Sequence, residues 1–125
     1  MIIGLPVVQK NWNEDTKQIT IQKSEIKVDI DTSFRAHLKW EEQFGATVGC
    51  DLSTYTERVK MWIKDSQTAK AQLLGLLKLL FCYINSDKIP TFREFVALFD
   101  VEVADEILEK INTVLEQIGK TASKN

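Results

Sequence analysis

The first thirty residues alternate with period two. In KQITIQ, Ile19 and Ile21 share one face, and in EIKVDID so do Ile26, Val28 and Ile30. Alternate side chains of an extended chain leave on opposite faces, so β-branched residues at this spacing predict two strands. The intervening KSE (residues 23–25) is the expected hairpin turn, although it lacks an Asn-Gly or Asp-Gly pair. IIGLPVVQ reads as a third short strand, and Pro6 confines it to a sheet edge.

Beyond residue 31 the spacing becomes helical. DTSFRAHLKWEEQF begins at Asp31, Thr32 and Ser33, each able to cap exposed N–H groups, and is expected to end before Gly45. TYTERVKMWIKD opens with Thr54 and Glu57 in the arrangement of a capping box, and Tyr55, Val59 and Trp62 form its stripe. A third helix covers about residues 68–85. Thr91 with Glu94 makes a second capping box, followed by Phe92, Phe95, Val96 and Phe99 on one face. Asp100 is placed to cap a last helix, in which Ala104, Leu108, Ile111, Leu115 and Ile118 recur at 4-3-4-3 spacing up to Gly119. The expected fold is therefore mainly α with a small N-terminal β hairpin or arm (α+β), a compact bundle of four to five short helices. It is read as one domain: arm 1–31, helical body 32–119 and flexible tail 120–125.

The stretch LLGLLKLLFCYI, residues 73–84, carries one charge, Lys78. On a helical wheel Leu73, Leu76, Leu77, Leu80 and Ile84 trace one face, while Leu74, Phe81 and Tyr83 point elsewhere. A helix apolar most of the way round has to be covered on several sides. Its neighbours in the same chain are one cover and a partner is the other. The regular face of the last helix, with Ile111, Leu115 and Ile118, poses the same choice.

Composition narrows the function. The 125 residues are 44% hydrophobic and 27% charged, with 16 Lys plus Arg against 18 Asp plus Glu. A net charge of −2 lacks the basic face of a nucleic-acid binder. No apolar run reaches the roughly 18–20 residues of a membrane span, and MIIGLPVVQKNWNED has no basic n-region, so no signal peptide is expected. Cys50 and Cys82 with one histidine fall short of a zinc ligand set. Cys82, inside the apolar run, reads as an inert core thiol, and two unpatterned cysteines suit a reducing cytoplasm.

Candidate chemistry is sparse. No phosphate-binding loop, G-x-G-x-x-G, H-E-x-x-H or G-x-S-x-G motif is present. His37 has no nucleophile or acid partner that the sequence names, and reads as structural. Asp29 and Asp31 alternate at a strand end, where two carboxylates are able to hold a cation or act as acid and base. A solvated face and a helix cap explain them more simply. No catalytic, metal, cofactor or small-molecule site is expected. Of the three tryptophans, Trp40 and Trp62 fall on helical stripes, whereas Trp12 sits in the polar KNWNEDTK and is as well suited to a contact surface as to a core.

The order of features, a β-prone start running through IKVDIDTSF into a capped helix and on to LFCYINSDKIPTFREFVALFDVEVADEILEKINTVLEQIGK, resembles the tail assembly chaperones of long-tailed siphophages of Gram-positive bacteria. The resemblance covers most of the chain and rests on size and feature order, without a diagnostic motif. It implies a non-enzymatic protein of the host cytoplasm that coats the apolar tape measure protein during tail assembly, self-associates, and is absent from the finished virion. The family supplies no residue motif. The partner-binding candidates come from the apolar faces: Trp12, Leu73, Leu76, Leu77, Leu80, Phe81, Ile111, Leu115 and Ile118. Two other readings stand beside it. One is a structural tail-completion or connector protein. The other is a small helical DNA-binding regulator, which Glu102, Asp105, Glu106, Glu109 and Glu116 on the last helix argue against by repelling phosphate.

Overall fold

A computed structural model describes residues 1–85 and 88–123. Strands β1 (Ile2–Asn13) and β2 (Gln18–Ile30) form one long antiparallel hairpin in register from Ile2↔Asp29 to Asn13↔Gln18. The turn is not at KSE. Lys23, Ser24 and Glu25 lie in mid-strand opposite Val8, Val7 and Pro6. The chain reverses at residues 14–17, where Asn13 Oδ1 accepts the N–H groups of Asp15 and Thr16 at 2.9 and 3.2 Å and Lys17 takes a positive φ of 53°. KSE has no residue that favours such a turn, whereas an Asn side chain builds one from its own oxygen. The segments expected as separate strands at 19–21 and 26–30 are thus one strand, and IIGLPVVQ is its long partner. Two-residue β3 (Ile84–Asn85) completes the sheet in the order β1-β2-β3. Pro6 lies on an outer strand as expected. The Val8 N–H points out of the ladder to Leu98 O (3.4 Å), so Pro6, two residues away, lacks only an outward-facing donor.

The helices start at polar caps. Ser33 accepts the Arg35 N–H at 3.3 Å and begins α1 (Phe34–Trp40), which continues through a π turn (Glu41–Gly45) into α2 (Ala46–Val48). The rod ends at Gly49, not before Gly45. Gly49 takes the left-handed φ of 81° and donates its N–H to Gly45 O at 2.9 Å, a geometry that costs glycine least. Helix α3 (Leu52–Trp62) is capped by Asp51, which accepts from Thr54 N at 2.8 Å. Thr54 therefore lies inside the first turn instead of capping it. The expected third helix is two, α4 (Ser66–Ala71), capped by Asp65, and α5 (Leu73–Tyr83), with a break at Gln72. Thr91 caps α6 (Phe92–Val96) by accepting from Glu94 N at 3.2 Å, as its sequence signature predicts. Asp100 accepts from Glu102 N at 3.1 Å and opens a 3-10 turn (Val101–Val103) into α7 (Ala104–Ser123). Helix α7 runs through Gly119 rather than ending there, and residues 124–125 of the expected tail lie outside the described residues. Counting α1 and α2 as one rod, the described residues hold six helices, against the four or five expected.

Helix α5 is the centre of the body. It touches α1, α3, α4, α6, α7 and β3. The base of the hairpin closes the same core with Ile3, Leu5, Val28 and Ile30, so half of the expected arm is part of the body. Trp40 is fully buried, and its Nε1 donates to Cys50 O at 2.8 Å. The deep line of α7 is Ile107, Ile111 and Val114, with Leu115 beside it and Val103 of the preceding 3-10 turn continuing it. Leu108 and Ile118 are only partly buried, so the helix is rotated away from the 104-108-111-115-118 face.

Candidate functional site: an apolar groove at the start of the central helix

The predicted contact residues separate by depth. Leu76, Leu80, Phe81 and Ile111 are wholly buried, and Leu77 and Leu115 nearly so. These side chains are already covered by their own chain, so as contact residues the first four are corrected to core. Burying a Leu or Phe contributes about 1.5–3 kcal/mol as an upper figure, which gives this helix its part in stability. Leu73 and Ile118 are half-buried. Trp12 is 57% exposed and lies far out on the hairpin.

At its N-terminal end α5 runs out of cover. Leu73, Leu74 and Leu77 face Val96 of α6 and the Phe99–Val101 segment across a groove of about 180 Å³. Leu74, 55% exposed, and Val101, 82% exposed, form its rim. Beside the groove, Asp100 binds Lys10 of β1 at 2.7 Å. That hydrogen bond and charge hold the Asp100 carboxyl below its usual range and raise Lys10. Sequence reasoning found Leu73 and Leu77. Leu74 lies off the helical face used for the choice, and Val101 precedes its helix and belongs to no stripe. Val96 and Phe99 were legible as part of one apolar face, but nothing in their spacing marked them as lining an open groove.

The groove is smaller than the roughly 300–1,000 Å³ of small-molecule pockets. Its lining is almost wholly aliphatic and aromatic. It suits one or two apolar side chains of a helix laid across it.

A larger cleft of about 410 Å³ lies between α1, α3 and α7, with Phe34, His37, Thr56, Glu57 and Ile118 among its walls. Several of its polar groups already have partners within the chain. Ser33 caps α1, Thr56 Oγ1 donates to Leu52 O at 2.7 Å, and Lys60 pairs with Glu57 at 3.1 Å. His37 packs against the Phe34 ring at 5.8 Å between centroids. Asp31 accepts the Ser33 N–H at 2.9 Å, and Asp29 is an exposed strand residue whose carboxylate meets the Met1 amine at 3.2 Å. Among the described residues no three His, Cys, Asp or Glu side chains gather to hold a metal. Cys82 is buried, and burial pushes its thiol up to about 12, so it is inert at neutral pH. No described helix is long and apolar enough to cross a membrane. Comparison with protein-family models, with curated proteins and with solved structures finds no match for this chain.

Proposed function

We propose that this protein is a non-enzymatic phage tail assembly chaperone that binds apolar helical segments of a tape measure protein and keeps them soluble. The observation that carries the reading is the apolar groove rimmed by the exposed Leu74 and Val101. Apolar patches open to solvent mark interaction sites, and a helix-in-groove contact recognises side chains at i, i+3, i+4 and i+7, the pattern of a long apolar coiled client. The order of features along the chain points to the same family. The action is stoichiometric binding in the host cytoplasm, with no bond made or broken.

The competing reading, a tail-completion or connector protein, predicts a different fate. Mass spectrometry of purified virions and of the infected-cell lysate separates the two. A chaperone is abundant in the lysate and missing from the particle. Stoichiometric presence in the particle rejects the chaperone and favours the structural component.

A further inference from the structure

Asp100 belongs at once to the groove and to the anchorage of the hairpin. It lines the groove with Leu73, Leu77 and Phe99, and it is the partner of Lys10 on β1. The chain around it has little apolar footing. The Phe99 ring packs edge-on against Phe95 at 4.9 Å between centroids, and Val103 is buried. Between these two points Val101 and Glu102 are exposed. The Asp100 side chain accepts from the Glu102 N–H and its carbonyl from the Val103 N–H, both at 3.1 Å. Those bonds close the turn on itself and fasten it to no other element.

Among the described residues three polar contacts tie residues 98–105 to β1 and α4. Leu98 O accepts the Val8 N–H at 3.4 Å, Asp100 pairs with Lys10 at 2.7 Å, and Asp105 pairs with Lys70 at 3.4 Å. The first is long for a hydrogen bond. The last joins two exposed side chains, where an ion pair contributes little. The Lys10–Asp100 pair is the short one, its carboxylate is 22% exposed, and Glu102 adds a second negative charge near Lys10. Lys10 is also held independently of the groove. Its strand is in register with β2, Lys10 opposite Ile21, and enters the core through Ile3 and Leu5.

We propose that Lys10 is a positioning residue for the groove: its ion pair with Asp100 holds the Phe99–Val101 wall in place beside α5, and the grip of the groove on an apolar helix weakens as salt screens that pair. The holding of the wall is a property of the fold alone, whereas the effect on grip rests on the reading of the groove as the client site. The signature is the sign of the salt effect. Apolar contacts carry no charge to screen, so a groove with a fixed wall is indifferent to sodium chloride. A wall held by a partly exposed ion pair is not, since the Debye length falls from about 10 Å at 0.1 M to about 3 Å at 1 M.

Two probes test it, with circular dichroism confirming that each variant is folded. The first is a polarity-sensitive dye on Leu74→Cys, in a Cys50→Ser background, which reports on the groove without any client. Its emission is expected to shift to the red and its anisotropy to fall on going from 0.1 to 1 M sodium chloride. Adding Lys10→Met is expected to produce the same change already at 0.1 M, whereas Lys10→Arg preserves the original signal. The second probe is a fluorescein-labelled peptide of Gln and Ala with Leu at i, i+3, i+4 and i+7, which has no charged side chain to be screened. Its affinity is expected to fall about two- to fivefold over the same salt range, the scale of a partly exposed ion pair. Lys10→Met lowers it by the same factor and abolishes the salt dependence. Asp100→Asn keeps the cap, and added to Lys10→Met it costs nothing more. A dye signal that Lys10→Met leaves unchanged overturns the proposal, as does a salt effect that persists in Lys10→Met. A peptide that fails to bind the wild type rejects the client reading instead, and the dye then decides the wall by itself.

Discussion

The Lys39 ammonium donates to Phe81 O at 2.8 Å and to Ile84 O at 3.1 Å, and it lies 3.9 Å from the centre of the Phe81 ring. One side chain of α1 thereby closes the C-terminus of α5, where carbonyls have no intrahelical partner and the helix dipole is negative. Burial holds the lysine pKa below its ordinary 10.5, yet the charge sits where it neutralises the helix end. Lys39→Met keeps the stem and removes the donor. It is expected to lower the free energy of unfolding by about 1.5–3 kcal/mol, the range for hydrogen bonds to charged groups, read by urea titration with an unchanged m value.

Gly75 answers why a glycine interrupts the leucines of the central helix. Its carbonyl accepts the Tyr55 hydroxyl at 2.8 Å. A Cβ there would come within 2.9 Å of that hydroxyl and 3.3 Å of the Trp62 ring. Alanine normally stabilises a helix over glycine by up to about 1 kcal/mol. Here overpacking, at about 1–3 kcal/mol, outweighs that gain. Gly75→Ala is expected to lower the melting temperature, and much less so in a Tyr55→Phe background, where the crowded oxygen is gone.

Acid should loosen the helix starts together. Asp51 and Asp65 are held below 3.8 by hydrogen bonds from Thr54 and Thr68, and Asp100 by Lys10 and then by the Glu102 N–H. A carboxylate whose folded pKa is depressed adds stability that is fully present above its unfolded value and is lost as pH falls through the folded one. Denaturation midpoints are therefore expected to hold down to about pH 4 and fall below it. Replacing the three with Asn, which caps without titrating, is expected to flatten that fall.

How much of this was legible in the chain depends on the kind of signal. Caps with a local mechanism were: Thr91 and Asp100 do what their residue types imply. The helical identity of residues 73–83 was also plain. The hairpin turn was missed because KSE interrupts the apolar alternation, whereas the real turn uses an Asn side chain in a polar stretch. Gly45 and Gly119 were misread as stops because a glycine inside a helix costs only about 1 kcal/mol relative to alanine and need not end it. Which leucines of α5 are core and which are open was not legible at all. That depends on where α6 and the Phe99–Val101 segment come to rest, a tertiary fact that no spacing within α5 encodes.

The most direct test of the proposed function is the solubility of the client it names, a siphophage tape measure protein, on co-expression with this chain. Leu74→Glu with Val101→Glu alters the exposed rim and is expected to leave circular dichroism and melting unchanged. Leu77→Glu, which buries a charge, is expected to unfold the chain and serves as the contrast. The account predicts a tape measure protein that stays soluble with the wild type and precipitates with the folded rim variant. A client kept equally soluble by the rim variant, or equally soluble without this protein, would contradict it.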